Sequence, residues 1–191
     1  NEGGYGGTYR YLKNIMGLWM IQSVRRELGG QAPDGARPSF PELIAAAQEA
    51  ADFPGVVFTG DDRFLTPRSM IEEVKAACAE AGYPRPETTG QLMQTIYNSL
   101  ARDYRRAVEE LQGLTGRACT SLNIVGGGSQ DGHLNQMTAN ATGLPVYAGP
   151  TEGTALGNLI VQFLASGEYP DLQAARDAIK QSFTIKEVFP Q

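Results

Sequence analysis

The chain has 191 residues, 41% hydrophobic and 19% charged, with 21 acidic against 16 basic side chains and a net charge of −5. That length holds one good core, so a single domain over 1–191 is expected, and the acid excess argues against nucleic acid as a partner. No apolar run approaches the roughly 20 residues that cross a bilayer, and no basic-then-apolar leader opens the chain, so a cytoplasmic setting without membrane contact is expected.

The opening Asn1-Glu2-Gly3-Gly4-Tyr5-Gly6-Gly7 is glycine-rich and starts without Met, as in a piece cut from a longer chain. By composition it is a linker or a loop lying against a ligand. From Thr8 to Leu28, apolar residues at Leu12, Ile15, Met16, Trp19, Met20 and Val24 recur at the 3-4 spacing of one long helix, with Gly29-Gly30 as its stop. A surface loop follows to Arg37. Ser39 with Glu42 forms a capping box that opens a helix through about Ala51. Pro54-Gly55 turns into the apolar run Val56-Val57-Phe58. The adjacent carboxylates of Asp61-Asp62 could serve a metal or an acid/base pair, but neighbouring residues diverge and Arg63 is a ready charge partner, which favours a structural loop.

Thr66-Pro67 with Glu72 reads as an N-cap followed by proline at the first helical position, and Gly82 closes that helix. Thr88 with Gln91 makes a second capping box. Leu92, Ile96, Leu100, Tyr104, Val108, Leu111 and Leu114 then mark a helix of some 25 residues ending at Gly116. Trp19 and Tyr97 lie on apolar stripes and read as core. Ser121 to Val125 and Leu144 to Ala148 read as strands, Leu134 to Thr142 and Ala155 to Ala165 as helices closed by Gly143 and Gly167, and Asp171 as the cap of a last helix. Phe183 to Gln191 shows no clear pattern. Helices outnumber strands about two to one, and the best strands each feed a helix, which is an α/β class.

Two cysteines, Cys78 and Cys119, with a single His133 and no C-x-x-C pair, give no basis for a zinc site or a disulfide framework, and no metal ligand is assigned. Both cysteines read as small core hydrophobes. Asn140-Ala141-Thr142 matches a glycosylation acceptor by chance, since no secretory context accompanies it.

The run Asn123-Ile124-Val125-Gly126-Gly127-Gly128-Ser129-Gln130 carries the most chemistry. Without Cβ atoms, the three glycines let the backbone bend and a ligand approach the main chain, while N–H groups at the following helix start favour the oxygens of a phosphate or ribose. It fits neither the phosphate-loop pattern G-x-x-x-x-G-K-[ST] nor the dinucleotide fingerprint, because Asp131 stands where the third glycine of the latter belongs. A tight strand-to-helix turn with no ligand would use the same residues.

Asn1-Glu2-Gly3-Gly4, the stretch from Leu12 to Trp19, Asp61-Asp62-Arg63-Phe64, Ile124 to Gln130 and Ala148-Gly149-Pro150-Thr151-Glu152-Gly153 together resemble the FGGY carbohydrate kinases, in particular their rhamnulokinase branch. The resemblance spans nearly the whole chain. It implies most of the C-terminal lobe of a ribonuclease-H-like, actin-like ATPase fold, helix-rich and with an incomplete sheet whose exposed edge is an association liability. It further implies L-rhamnulose and ATP with Mg2+ as ligands, and the N-terminal lobe of the same kinase as partner. By position, Asn14 would contact the ketose, while Gln22 and Gly127 would contact ATP, with Gly126, Gly128 and Gln130 less firmly so. Gln130 could equally cap its helix, and Thr151 could wall the pocket or cap the next helix. The catalytic aspartate and the first phosphate loop would precede Asn1, leaving no catalytic residue in this piece and the piece alone inactive. A related ketose such as L-fuculose or xylulose, or a non-catalytic nucleotide-binding module, are the alternatives.

On one helix, Asn14 and Gln22 would lie eight residues and about 12 Å apart, with their directions some 80° apart, so that they could reach different ligands. An amide offers a donor and an acceptor to sugar hydroxyls or a nucleotide edge. Ordinary polar-face positions would look the same.

Overall fold

The structure, a computed structural model, describes residues 2–191; Asn1, part of the glycine-rich lead, lies outside them. In chain order the elements are β1 (Glu2–Gly3), β2 (Tyr9–Arg10), α1 (Trp19–Gln31), α2 (Phe40–Glu49), α3 (Met70–Glu80), α4 (Thr89–Thr115), β3 (Leu122–Ile124), α5 (Gly132–Thr142), β4 (Val146–Ala148), α6 (Gly153–Ser166), α7 (Leu172–Ser182) and β5 (Lys186–Val188). They form two compact units: a helical unit, Asn14–Ala107, and a sheet unit of residues 2–13 and 108–191.

In the helical unit α1 starts eleven residues later than the apolar spacing predicts. Of the periodic residues ahead of Gly17, Leu12 is exposed and Ile15 and Met16 are only partly buried, so the spacing there gives a helix little tertiary support. The chain instead makes a tight bend, with Gly17 N–H donating to Ile15 O at 2.7 Å, and turns helical where Met20, Ile21 and Val24 become buried. Nor do Gly29 and Gly30 stop it. Gly29 is needed for close approach, because a Cβ there would lie 2.3 Å from Arg37 Cγ and 3.2 Å from Arg37 Cα.

The expected capping box at Ser39 and Glu42 is present, with both reciprocal bonds formed. The Ser39 hydroxyl, and after it the Ser39 N–H, holds the Glu42 carboxyl below the usual carboxylate range. This contribution is present above the ordinary glutamate pKa and is lost as pH falls through the lowered one. At α3 the cap is Ser69, not Thr66: Ser69 Oγ accepts from Glu72 N at 3.1 Å and donates to the Glu27 carboxylate, a partner in α1 that no local pattern reveals. The box at Thr88 and Gln91 opens α4 as expected.

The first half of α4 is the floor of this unit, with Leu92, Met93, Ile96, Tyr97 and Leu100 all buried. Its polar residues hold the main chain of 53–57, leading into and including part of the apolar run Val56-Val57-Phe58, which forms no strand. Asn98 Nδ2 donates to Phe53 O at 3.0 Å and Gly55 O at 3.1 Å, while Ser99 Oγ accepts from Val57 N at 2.8 Å and donates to Thr95 O at 2.6 Å. Ser99→Ala strips a buried N–H of its acceptor and is expected to cost about 1–3 kcal/mol in a denaturant titration, where an ordinary surface serine would cost under about 0.5 kcal/mol. Asp61 accepts from Arg63 N and Nε, and Arg63 reaches Glu80 at 2.8 Å, so these charges hold a loop.

In the sheet unit, β1 and β2 pair antiparallel with Glu2 opposite Arg10, an ion pair. The main sheet has the order β3-β4-β5, with β3 and β4 parallel around the crossover helix α5, and β5 antiparallel to β4. Helix α5 packs on β4 and β5. Strand β5 lies in the tail that the sequence left without pattern, and only its pairing with β4, Val188 opposite Val146, makes it a strand. Gly143 and Gly167 close α5 and α6 in the left-handed conformation, and Asp171 Oδ1 accepts from Ala174 N to cap α7. The architecture is α/β, helix-rich, with a small sheet.

Candidate functional site: the glycine bend and the start of the first helix

The glycine run joins β3 to α5. Gly126 has φ 79° and ψ −167°, a conformation that only glycine adopts without strain, and residues Gly127–Gln130 follow as a turn of 310 helix. Gly126 N donates to Pro150 O at 3.2 Å, tying the bend to the loop after β4. Within the turn, Ser129 N and Oγ both bond Gly126 O, at 3.1 and 2.7 Å. Buried Asn135 donates from Nδ2 to Ser129 O at 3.1 Å, and its Oδ1 is buried with no partner.

Gly127 faces open space. A Cβ placed there meets nothing within 4 Å, and the residue is exposed, so a ligand can lie directly on this stretch of main chain. As the first residue of a helical turn, Gly127 also presents an N–H that the turn itself does not satisfy. The bend is thus fixed from below by Pro150, Ser129 and Asn135 and open at Gly127.

Gln130 caps nothing: its Nε2 donates to Thr151 Oγ1 at 2.9 Å, clipping this turn to the loop after β4. Asp131 is the cap of α5, accepting from Leu134 N at 3.0 Å. Thr151 is no cap either; α6 starts at Gly153 with Glu152 in the cap position and no side-chain bond. Gly153 is there for closeness, since a Cβ would come within 2.8 Å of Val125 Cβ. Burial pushes the His133 imidazole toward its neutral form, and Asp131 partly opposes this.

Asn14 and Gln22 do not share a helix. Asn14 is exposed in the non-helical lead, five residues ahead of α1, while Gln22 is exposed in the first turn of α1, its N–H bonded to Leu18 O at 2.9 Å. The spacing along one helix therefore does not describe them. Both belong to the helical unit, and Gly126, Gly127, Gly128 and Gln130 to the sheet unit.

The sequence reading missed a cleft of about 440 Å3 beside α1, lined by Trp19, Ser23, Arg26, Glu27, Thr66, Pro67, Arg68 and Met70. Trp19 is accordingly a wall, 38% exposed, not core; its Nε1 donates to Phe64 O at 3.2 Å, and Arg26 lies 5.1 Å over its ring. Trp19, Ser23 and Arg26 recur every three or four residues along α1, but only Trp19 belongs to the apolar stripe that the sequence shows. Cys78 is buried, and burial raises its thiol pKa, whereas Cys119 is half-exposed and so is not the core residue expected; neither is in a disulfide. No group of three or more His, Cys, Asp and Glu side chains suited to a metal ion occurs among the described residues, and none of their helices is long and apolar enough to cross a membrane.

Comparison with known proteins gives this geometry its context. The chain is 42% identical to the rhamnulokinase of Ligilactobacillus salivarius (strain UCC118) over all of its 191 residues, which is 38% of that protein. It is 44% identical to the rhamnulokinase of Enterococcus faecalis (strain ATCC 700802 / V583) over 185 residues, 96% of this chain and 36% of that one. The chain thus spans well under half the length of these curated relatives. Among solved structures it resembles the xylulose kinase from Rhodospirillum rubrum with a TM-score of 0.58 at 19% identity, covering 90% of this chain and 33% of that one, a likeness of fold. Residues 1–166 match the C-terminal domain of the FGGY family of carbohydrate kinases, and the chain belongs to that family with the actin-like fold of its C-terminal lobe.

Proposed function

We propose that this chain is the ATP-binding lobe of an L-rhamnulose kinase, which with its N-terminal lobe transfers the γ-phosphate of ATP to the sugar's 1-hydroxyl. The observation that carries the nucleotide half is the open main chain at Gly127 on a bend held rigid by Gly126. A phosphate or ribose needs donors already in place, and a backbone that is fixed before binding loses little freedom on binding. The rhamnulose half rests on relatives named for that sugar at about 40% identity along the whole chain.

In this reading Gly127 receives the nucleotide on its main chain, flanked by Gly126 and Gly128. Gln22 offers its amide to the same ligand, and Asn14 uses donor and acceptor together on the ketose hydroxyls. Gln130 clips the bend to Thr151 through its Nε2 and stands beside the same stretch of main chain, exposed. Mg2+ bound with ATP would offset charge on the phosphates; no side chain of this chain is assigned to it. The aspartate that takes the hydroxyl proton, like the first phosphate loop, is assigned to the N-terminal lobe. The setting is cytoplasmic, where ATP is supplied.

The test is an assay of the intact kinase with ATP and a panel of ketoses. Phosphorylation of L-rhamnulose in preference to L-fuculose and xylulose is expected; a folded enzyme that prefers another ketose contradicts the assignment. Within that assay, Asn14→Ala should raise KM for the ketose by roughly tenfold with KM for ATP unchanged, the loss of about one to two hydrogen bonds to a bound ligand. Gln22→Ala should do the converse.

A further inference from the structure

We propose that the cleft beside α1 is a second binding site, one for the phosphate group of a small phosphate ester. It lies wholly within the helical unit and stands on its own residues, independent of the kinase reading. Arg26 and Arg68 both line it, both are exposed, and neither forms an ion pair with a carboxylate among the described residues. The only acid in the lining, Glu27, is already engaged. One of its oxygens accepts from Ser69 Oγ and the other from Ile71 N at 3.3 Å, at the start of α3. The cleft is therefore left with two guanidinium groups that no carboxylate neutralises, Arg26 resting over the Trp19 ring and Arg68 exposed, and the guanidinium is the side chain that matches a phosphate most closely.

A further observation points to an absent ligand. Ser23 Oγ, in the lining, is buried and has no hydrogen-bond partner. A buried hydroxyl without a partner is costly, and an oxygen of a bound molecule would relieve it. The volume of about 440 Å3 exceeds what a bare phosphate fills and suits a molecule of sugar-phosphate size. Its organic part would lie against Trp19, Pro67 and Met70. The indole is held in place by its bond to Phe64 O, so this wall is formed before any ligand arrives.

Trp19 is the single tryptophan of the 191 residues, and its emission reports from the cleft itself. Inorganic phosphate and glucose 6-phosphate are titrated into the purified protein and into its Trp19→Phe variant, and the difference isolates the Trp19 signal; glucose and potassium chloride at matched ionic strength are the controls. A saturable change with the phosphate compounds and none with glucose or chloride is expected. Tighter binding of the ester supports a phosphate-ester ligand; equal or tighter binding of inorganic phosphate overturns that choice of ligand. Arg68→Met, an exposed position, should weaken the midpoint roughly tenfold with an unchanged circular dichroism spectrum, as expected for one charge-assisted bond, and Ser23→Ala should weaken it less. The proposal is overturned if the phosphate compounds act no more strongly than chloride. It is also overturned if ATP displaces them and Arg68→Met weakens ATP binding equally, because the cleft would then be part of the nucleotide site.

Discussion

Gly90→Ala is expected to destabilise the protein by about 2–3 kcal/mol, which for a chain of this size lowers the melting temperature by roughly 5–10 °C. Gly90 sits in the first turn of α4, where a Cβ would lie 2.4 Å from Ala46 O on α2 and 3.3 Å from Cβ of Ala50, the residue that caps α2. The obstacle is backbone, which no rotamer change can move aside, so one helix must be pushed off the other. The same replacement at Gly113 meets nothing within 4 Å and lies on the exposed part of α4. There it removes only glycine's backbone freedom and should stabilise by about 0.5–1 kcal/mol. Two identical substitutions in one helix thus carry opposite signs. Thermal unfolding of both variants decides the matter, and a Gly90→Ala protein as stable as the parent would show that α2 and α4 do not meet at this closeness.

The second large effect separates the bend's shape from its use. Gly127→Val should leave stability nearly unchanged, since the new side chain points into open space, yet raise KM for ATP at least about tenfold by standing where the proposed nucleotide contact is made. Gly126→Ala should act the other way round. At φ 79° and ψ −167° a Cβ is strained by about 1–3 kcal/mol, so the bend itself is lost and stability falls together with ATP affinity. If Gly127→Val bound ATP as the parent does, the bend would be only a turn.

The helices were the most legible part of the chain, because their ends are written locally. Ser39 with Glu42, Thr88 with Gln91, and Gly116, Gly143 and Gly167 mark caps that need nothing from the rest of the molecule. The failures occur where a distant residue decides. Ser69 displaces Thr66 as the cap of α3 while its hydroxyl also bonds Glu27; α1 forms only where Met20, Ile21 and Val24 find a core; and β5 exists through its pairing with β4. At the glycine run the bend was legible from three Cβ-free residues after a strand. The bond from Gln130 to Thr151 was not, since two loops 21 residues apart carry no joint pattern. The cleft at Trp19 was hidden for a related reason: amphipathic spacing says which residues share a helix face, not whether a neighbouring loop will cover that face.

The central claim, that an adenine nucleotide lies on the main chain at Gly127, is tested most directly by a crystal structure of the intact kinase with ATP bound. The prediction is nucleotide in contact with Gly127, at hydrogen-bond or van der Waals distance of about 3–4 Å. ATP seated away from that bend, with the turn from Gly126 to Gln130 touching no ligand, would contradict it.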